Sequence, residues 1–91
     1  MYELGALKTG EKGVIAKINA PNPLKMRLIS MGLIRGAQVE MLARSFFGAT
    51  VMVRLKHAGS FSLRRDEARH ILLSAKQRHR QYRDNNGGEV K

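Results

Sequence analysis

Residues 22–42 read NPLKMRLISMGLIRGAQVEML, and this stretch decides how the rest of the chain is organised. Asn22 is placed to cap a helix, because its side-chain carbonyl can accept a free first-turn N–H. Pro23 then suits the first helical position, where a missing N–H costs nothing. Leu24, Leu28 and Met31 recur at i, i+4 and i+7, which is one helical face. Gly32 follows where a left-handed residue ends a helix. Leu33 and Ile34 continue apolar, and Gly36 permits a turn into Val39, Met41 and Ala43, which alternate as in a strand. The stretch predicts a short helix, a tight exit and a strand.

The same logic extends outward. Lys8, Thr9 and Gly10 predict a turn into a first strand over 13–18, with Val14, Ala16 and Ile18 on its inner side. Asn19 to Pro23 ends that strand in a Pro-rich turn. Beyond the strand at about 37–44, Gly48 interrupts two strand-like runs and predicts a hairpin over 45–49. Its tip carries two aromatics, Phe46 and Phe47. Val51, Val53 and Leu55 alternate with Met52, Arg54 and Lys56, the clearest strand pattern of the chain. Ser60 to Arg64 alternates again after a turn at His57, Ala58 and Gly59. Asp66 is placed to cap a single helical turn with Glu67 in its first turn, and Ile71 to Leu73 form a last short strand. The expected fold is mainly β: a small SH3-like antiparallel barrel of about five strands with one short inserted helix, covering residues 1–73. Residues 74–91 contain only Tyr82 and Val90 as bulky apolar groups and are expected to be a basic, disordered tail.

Bulk numbers restrict the function classes. A chain of 91 residues suggests one domain, which buries only roughly 60–65% of its unfolded surface. With no Cys, neither disulfides nor thiolate metal sites contribute. No apolar run is long enough to span a membrane, and the N-terminus lacks a signal-peptide core, so a cytoplasmic protein with no direct membrane insertion is expected. The net charge is +10, with 12 basic against 5 acidic residues up to Leu73. That field favours an anionic partner: nucleic acid, an acidic membrane face or an acidic protein.

Three motifs, in order, resemble the FeoA family. Arg27 to Val39 resembles its RLxxLGLxPGxxV signature, residues 61–71 resemble its closing xLALRxxEAxxI, and Leu7 to Ile15 is similar to its LxxGxxGxI opening. The resemblance covers residues 4–73. It implies a small cytoplasmic SH3-like barrel acting on FeoB, a membrane protein with a cytoplasmic GTP-binding domain that imports ferrous iron. It implies a contact role, as accessory or regulator, with possible recruitment to the inner face of the membrane. The same fold occurs as a C-terminal domain of iron-dependent repressors of the diphtheria-toxin-repressor type, but no helix-turn-helix precedes the barrel motifs here, so that arrangement is not expected. This sequence departs from the family pattern at Arg35, where Pro is common, and in the 47–50 turn, which has no Pro.

No acid pairs with Ser, Cys or His at a catalytic spacing, and no GxxxxGK[ST] loop is present. An enzyme is not expected, although Arg27, Arg35, Arg44 and Arg54 are available to act in trans on a partner's phosphoryl chemistry. His57, His70 and His79 fit no metal-ligand spacing, and Met26, Met31, Met41 and Met52 read as flexible filler. Neither cofactor nor metal is expected. The rival reading is a basic RNA-binding module, with Phe46, Phe47 and Tyr82 stacking on bases. Sparse aromatics, 5% of the chain, and scattered basic residues weigh against it, so nucleic acid is not the expected partner. Partner binding is assigned to Lys25, Met26, Arg27, Ile29, Arg35, Phe46 and Phe47: apolar groups ringed by cations, which also permit self-association. For Phe46 and Phe47, packing over the barrel mouth is the competing reading. Leu28, Met31, Val39, Val53 and Leu63 are assigned to the core.

Overall fold

The computed structural model describes residues 1–77. It contains β1 (Tyr2–Glu3), a 3-10 turn (Leu4–Ala6), β2 (Lys12–Ile18), α1 (Leu24–Ser30), β3 (Gln38–Arg44), β4 (Thr50–Leu55), β5 (Gly59–Arg64), α2 (Arg65–Ala68) and β6 (Ile71–Gln77). The strands form one six-stranded sheet in the order β1-β6-β2-β3-β4-β5, with antiparallel neighbours throughout. The strand beyond the expected five is β1. It has two residues, too few to carry a periodic signal, and pairs Tyr2 with Leu73. Hydrogen bonding runs from β1 to β5 without closing, so the sheet keeps two edges, one of them only two residues long.

The core sits inside the curled sheet. Val39, Met41, Val51, Val53, Leu55, Leu63, Ile71 and Leu73 point into it from the strands, Leu28 and Leu33 enter from α1 and its exit, and Leu4 and Leu7 enter from the 3-10 segment. Registers such as Met41 opposite Val53 and Val51 opposite Leu63 put these side chains on one face. One carboxylate, Glu11, is buried with them; it accepts the Lys8 N–H at 2.7 Å across the turn that Gly10 (φ +92°) makes possible. Burial, and secondarily the charge of Glu11, push the Tyr2 phenol up.

Two strands break their expected alternation, for the same reason. In β2 the pairing with β6 shifts around Ile15, so Gly13, Ile15 and Ile18 are buried while Val14 and Ala16 are only half-buried. In β3 the pairing with β4 shifts between Met41 and Ala43, which leaves Ala43 exposed instead of inward. One extra residue in a strand reverses which face each later side chain occupies.

The helix ends also differ from expectation. α1 begins one residue later, with Pro23 at its cap position after a cis Asn22–Pro23 bond, and no side chain caps it; Asn22 does not serve. The chain satisfies one first-turn amide by backbone instead, Lys25 N–H to Pro21 C=O, and regular helical bonding begins with Arg27 N–H to Pro23 C=O. In α2 the capping carboxylate is Glu67, which accepts the Arg64 N–H at 3.0 Å, and Asp66 is not the cap. Glu67 also pairs with Arg27 of α1. The last strand reaches Gln77, pairing with Lys12, so the expected tail boundary at 73 moves outward by four residues. The rest of the 74–91 expectation, with Tyr82 and His79, lies outside the described residues.

The exit of α1 matches its expectation and explains it. Gly32 adopts φ +100°. Its N–H bonds Ile29 C=O at 2.9 Å and the Leu33 N–H bonds Leu28 C=O at 3.2 Å. This pair of bonds is a Schellman motif, and its usual apolar contact is supplied by Leu28 and Leu33, both fully buried. A Cβ on Gly32 would sit 3.2 Å from Leu55 Cδ1, so the residue is constrained by backbone angle and by space. Gly48 shares the left-handed backbone (φ +74°) but has open space around it.

Gly32→Ala is therefore expected to lower the melting temperature more than Gly48→Ala. The backbone term common to both is about 1–2 kcal/mol, or roughly 4–15 °C for a domain of this size. Equal losses in thermal melts would remove the Leu55 contact from the explanation. For Glu67, the Arg64 N–H first, then the hydrogen bond and charge of Arg27, hold its carboxyl below the usual range. A folded-state pKa that is depressed contributes stability above the unfolded value, and that stability disappears as pH falls through the folded value. Glu67→Gln is expected to melt a few degrees lower than the parent at pH 7, with the gap closing below about pH 4; a gap independent of pH would contradict this role.

Candidate functional site: an apolar groove and helix face with a cationic rim

The seven residues assigned to partner contact do not form one surface. Lys25, Met26, Arg27 and Ile29 lie on α1, and Arg35 lies in the loop that leaves it. Phe46 and Phe47 form the tip of the β3–β4 hairpin. Arg35 precedes β3 and the tip follows it, so the seven residues of that strand separate them by about 20 Å.

On α1, Met26 is 59% exposed and Ile29 is half-buried; the two are three apart and share a face. Leu24 and Met31 turn the other way and pack partly against the core. Lys25 is exposed beside Met26. Arg27 is exposed too, but its guanidinium is bound to Glu67. Part of its role is thus to join α1 to α2, which the one-dimensional pattern did not show because the two residues are forty apart.

The exit loop follows α1 directly. The Ala37 N–H bonds Ile34 C=O at 3.0 Å with Gly36 at φ +89°, the arrangement of a type II turn with Arg35 at its first central position. That position favours proline, which is the physical reason Pro is common there in the family signature. The Gly36 N–H bonds Ile15 C=O at 2.7 Å, and the Ile15 N–H bonds Ala37 C=O at 2.9 Å, so the turn is clamped to β2. Between this turn and the β4–β5 turn lies an open groove of roughly 630 Å³. Ile34, Ala37 and Ala58 give it apolar walls, and Arg35, Lys56 and His57 stand at its rim. Ile34 is 51% exposed, a large apolar side chain held in solvent by a tight turn. Ile34, Lys56 and His57 were not assigned to partner contact from the sequence. The signal available was that Ile34 sits in a two-residue apolar run whose partner, Leu33, is consumed by the helix stop.

At the tip, Phe46 is 93% and Phe47 87% exposed. Their rings meet edge to face, with centroids 4.9 Å apart and planes at 82°. They do not cover the barrel mouth, and that reading is discarded. Three residues form the rest of the turn, with the Gly48 N–H on Ser45 C=O at 3.0 Å.

Among the described residues no group of three His, Cys, Asp or Glu side chains could hold a metal. His70 Nδ1 is 2.9 Å from Asn19 C=O, a contact between the turn after α2 and the residue that follows β2. No described helix is long and apolar enough to cross a membrane.

Known proteins bear on what this arrangement belongs to. The FeoA domain family matches residues 2–75. A Campylobacter jejuni chain assigned as Fe(2+) transport protein A is 40% identical over 71 residues, covering 78% of this chain and 95% of that one. The solution structure of FeoA from Chlorobium tepidum superposes with a TM-score of 0.72 at 28% identity, over 78% of this chain and 67% of that one. The crystal structure of Stenotrophomonas maltophilia FeoA, complexed with zinc and described as a procaryotic SH3 domain protein, gives a TM-score of 0.77 at 22% identity, over 87% and 99% of the two chains. The curled six-stranded sheet is therefore the SH3-like fold anticipated above, and the chain belongs to the FeoA family.

Proposed function

We propose that this chain is a non-catalytic cytoplasmic accessory of bacterial ferrous iron uptake, which acts by docking its α1 and exit-loop face on the cytoplasmic GTP-binding part of a FeoB-type transporter. The observation that carries the reading is Ile34, held half out of the fold by the Gly32–Gly36 clamp, beside an apolar groove with Arg35, Lys56 and His57 at its rim. Met26 and Ile29 add apolar surface on the preceding helix α1. Apolar groups at the centre with cations around them suit a protein contact, in which the centre is desolvated and the rim selects an acidic surface. The relatives' assignment to Fe(2+) transport supplies the pathway. Any GTP hydrolysis belongs to the partner, since no phosphate-binding loop is present. Arg35 makes no ion pair among the described residues and is available to a partner's acidic or phosphate groups.

Two substitutions separate this reading from loss of fold. Met26→Glu places a charge on an exposed position and is expected to weaken binding to a purified FeoB cytoplasmic domain by at least about tenfold, while the melting temperature stays within a few degrees. Arg35→Pro keeps the type II turn, so it is expected to weaken the same binding through loss of the cation without lowering stability. Parent-level binding by both variants in calorimetric titrations would rule out this face. Salt-sensitive binding to RNA or DNA oligomers, with none to the FeoB domain, would favour the nucleic-acid reading.

A further inference from the structure

The α1 face leaves the hairpin tip unaccounted for. Two phenylalanines at nearly full exposure on a convex turn are a hydrophobic end with no partner among the described residues other than each other. We infer that the Phe46–Phe47 tip, with the arginines around its base, is a peripheral anchor that inserts into the interface of an anionic lipid bilayer.

The arginines come from two separate parts of the chain. Arg44 immediately precedes the turn. Arg64 is the register partner of Thr50, which follows it. The Arg65 N–H bonds Ala49 C=O at 2.9 Å, which fixes the start of α2 at the base of the tip. Arg69 stands with Arg44 and Arg65 along an open groove of roughly 600 Å³ on that side. Arg44, Arg64 and Arg65 thus stand at the base of the tip, and with Arg69 in the same groove they form its cationic collar. The carboxylates on the same side are Glu3 and Asp66, which also line that groove, so the collar keeps a positive excess. Glu67 offsets part of the Arg64 charge and pairs with Arg27, so with Glu3 and Asp66 three carboxylates stand against Arg27 and the four arginines of the collar. The Arg44 guanidinium additionally holds the carbonyls of Gly5 and Leu7, which ties the tip to the 3-10 segment and stiffens its base.

Rigid apolar side chains projecting from a cationic base match a bilayer interface. Phenyl rings leave water there, and each Lys or Arg near an anionic surface contributes roughly fivefold to partition. A nucleic-acid strand fits less well: it needs ring faces open along a groove, and here one ring presents its edge to the face of the other on a convex turn. A protein socket is a shape-specific pocket, whereas cations drawn from two elements around the tip suit a surface that is anionic everywhere. The anchor is independent of the docking face, since it lies at the other end of β3.

The chain has no Trp, so Phe47→Trp makes a single fluorescent reporter in an otherwise unchanged protein. With vesicles of phosphatidylglycerol and phosphatidylethanolamine its emission is expected to shift to the blue, and with pure phosphatidylcholine vesicles to stay in place. In sedimentation with the anionic vesicles, the full-length Phe46→Ser/Phe47→Ser chain is expected to partition at least about tenfold less than the parent. Its C-terminal residues are identical to the parent's, so binding through them cancels in the comparison. Met26→Glu is expected to partition like the parent. Both tip positions are exposed, and a melting curve within a few degrees of the parent's confirms the fold. Equal partition of parent and tip variant overturns the anchor. So does a reporter that shifts only with oligonucleotides, or only with a FeoB cytoplasmic domain.

Discussion

The left-handed stop at Gly32 is the constraint on which the rest of the arrangement depends. It lets the Leu33 N–H return to Leu28 C=O, which turns both leucines into the core. It also brings the backbone to within contact of Leu55 on β4. Five residues later, a second turn clamps Gly36 and Ala37 onto Ile15 of β2. Between those fixed points the chain is too short to bury everything it carries. Leu33 goes in, so Ile34 and Arg35 must stay out. An exposed apolar residue beside a cation is thus a consequence of how the helix is stopped, and selection on a partner surface can act on what the fold already forces outward.

The same economy divides the α1 face. Leu28 belongs to the core and Arg27 to the bridge with Glu67, whose carboxylate also caps α2. One carboxylate therefore ties both helices together and orders the start of α2, which in turn bonds the base of the hairpin through the Arg65 N–H. This small polar network joins α1 to the base of the hairpin.

Much of this was legible in the sequence, for identifiable reasons. Val51, Val53 and Leu55 alternate without interruption, and their strand is where the pattern places it. Glycine at 32, 36, 48 and 59 marks four turns, all with positive φ. The failures have a common origin in pairing between distant residues. Val14, Ala16 and Ala43 were misplaced because register shifts against β6 and β4 reverse the alternation, and nothing local announces a bulge. The strand β6 runs on through Ser74 to Gln77 because Lys12 to Val14 of β2 are there to pair with it, while its polar composition alone reads as tail. Asn22 looked like a cap, yet the helix starts beyond it. Arg27 looked unoccupied because Glu67 is distant in sequence. For the site, residue type suggested that Met26 stays exposed, as it does, but could not show that Phe46 and Phe47 lie elsewhere, nor that Lys56 and His57 join Ile34 across a groove.

The central claim is that two separate surfaces serve two different contacts. Amide chemical-shift mapping of the isotope-labelled chain tests it most directly, with a FeoB cytoplasmic domain and anionic vesicles added in separate titrations. The account predicts that the protein partner perturbs Lys25, Met26, Ile29, Ile34, Arg35 and His57 and leaves Phe46 and Phe47 unmoved, while vesicles perturb Ser45 to Ala49 and leave α1 unmoved. A single common set of perturbed residues in both titrations would contradict it.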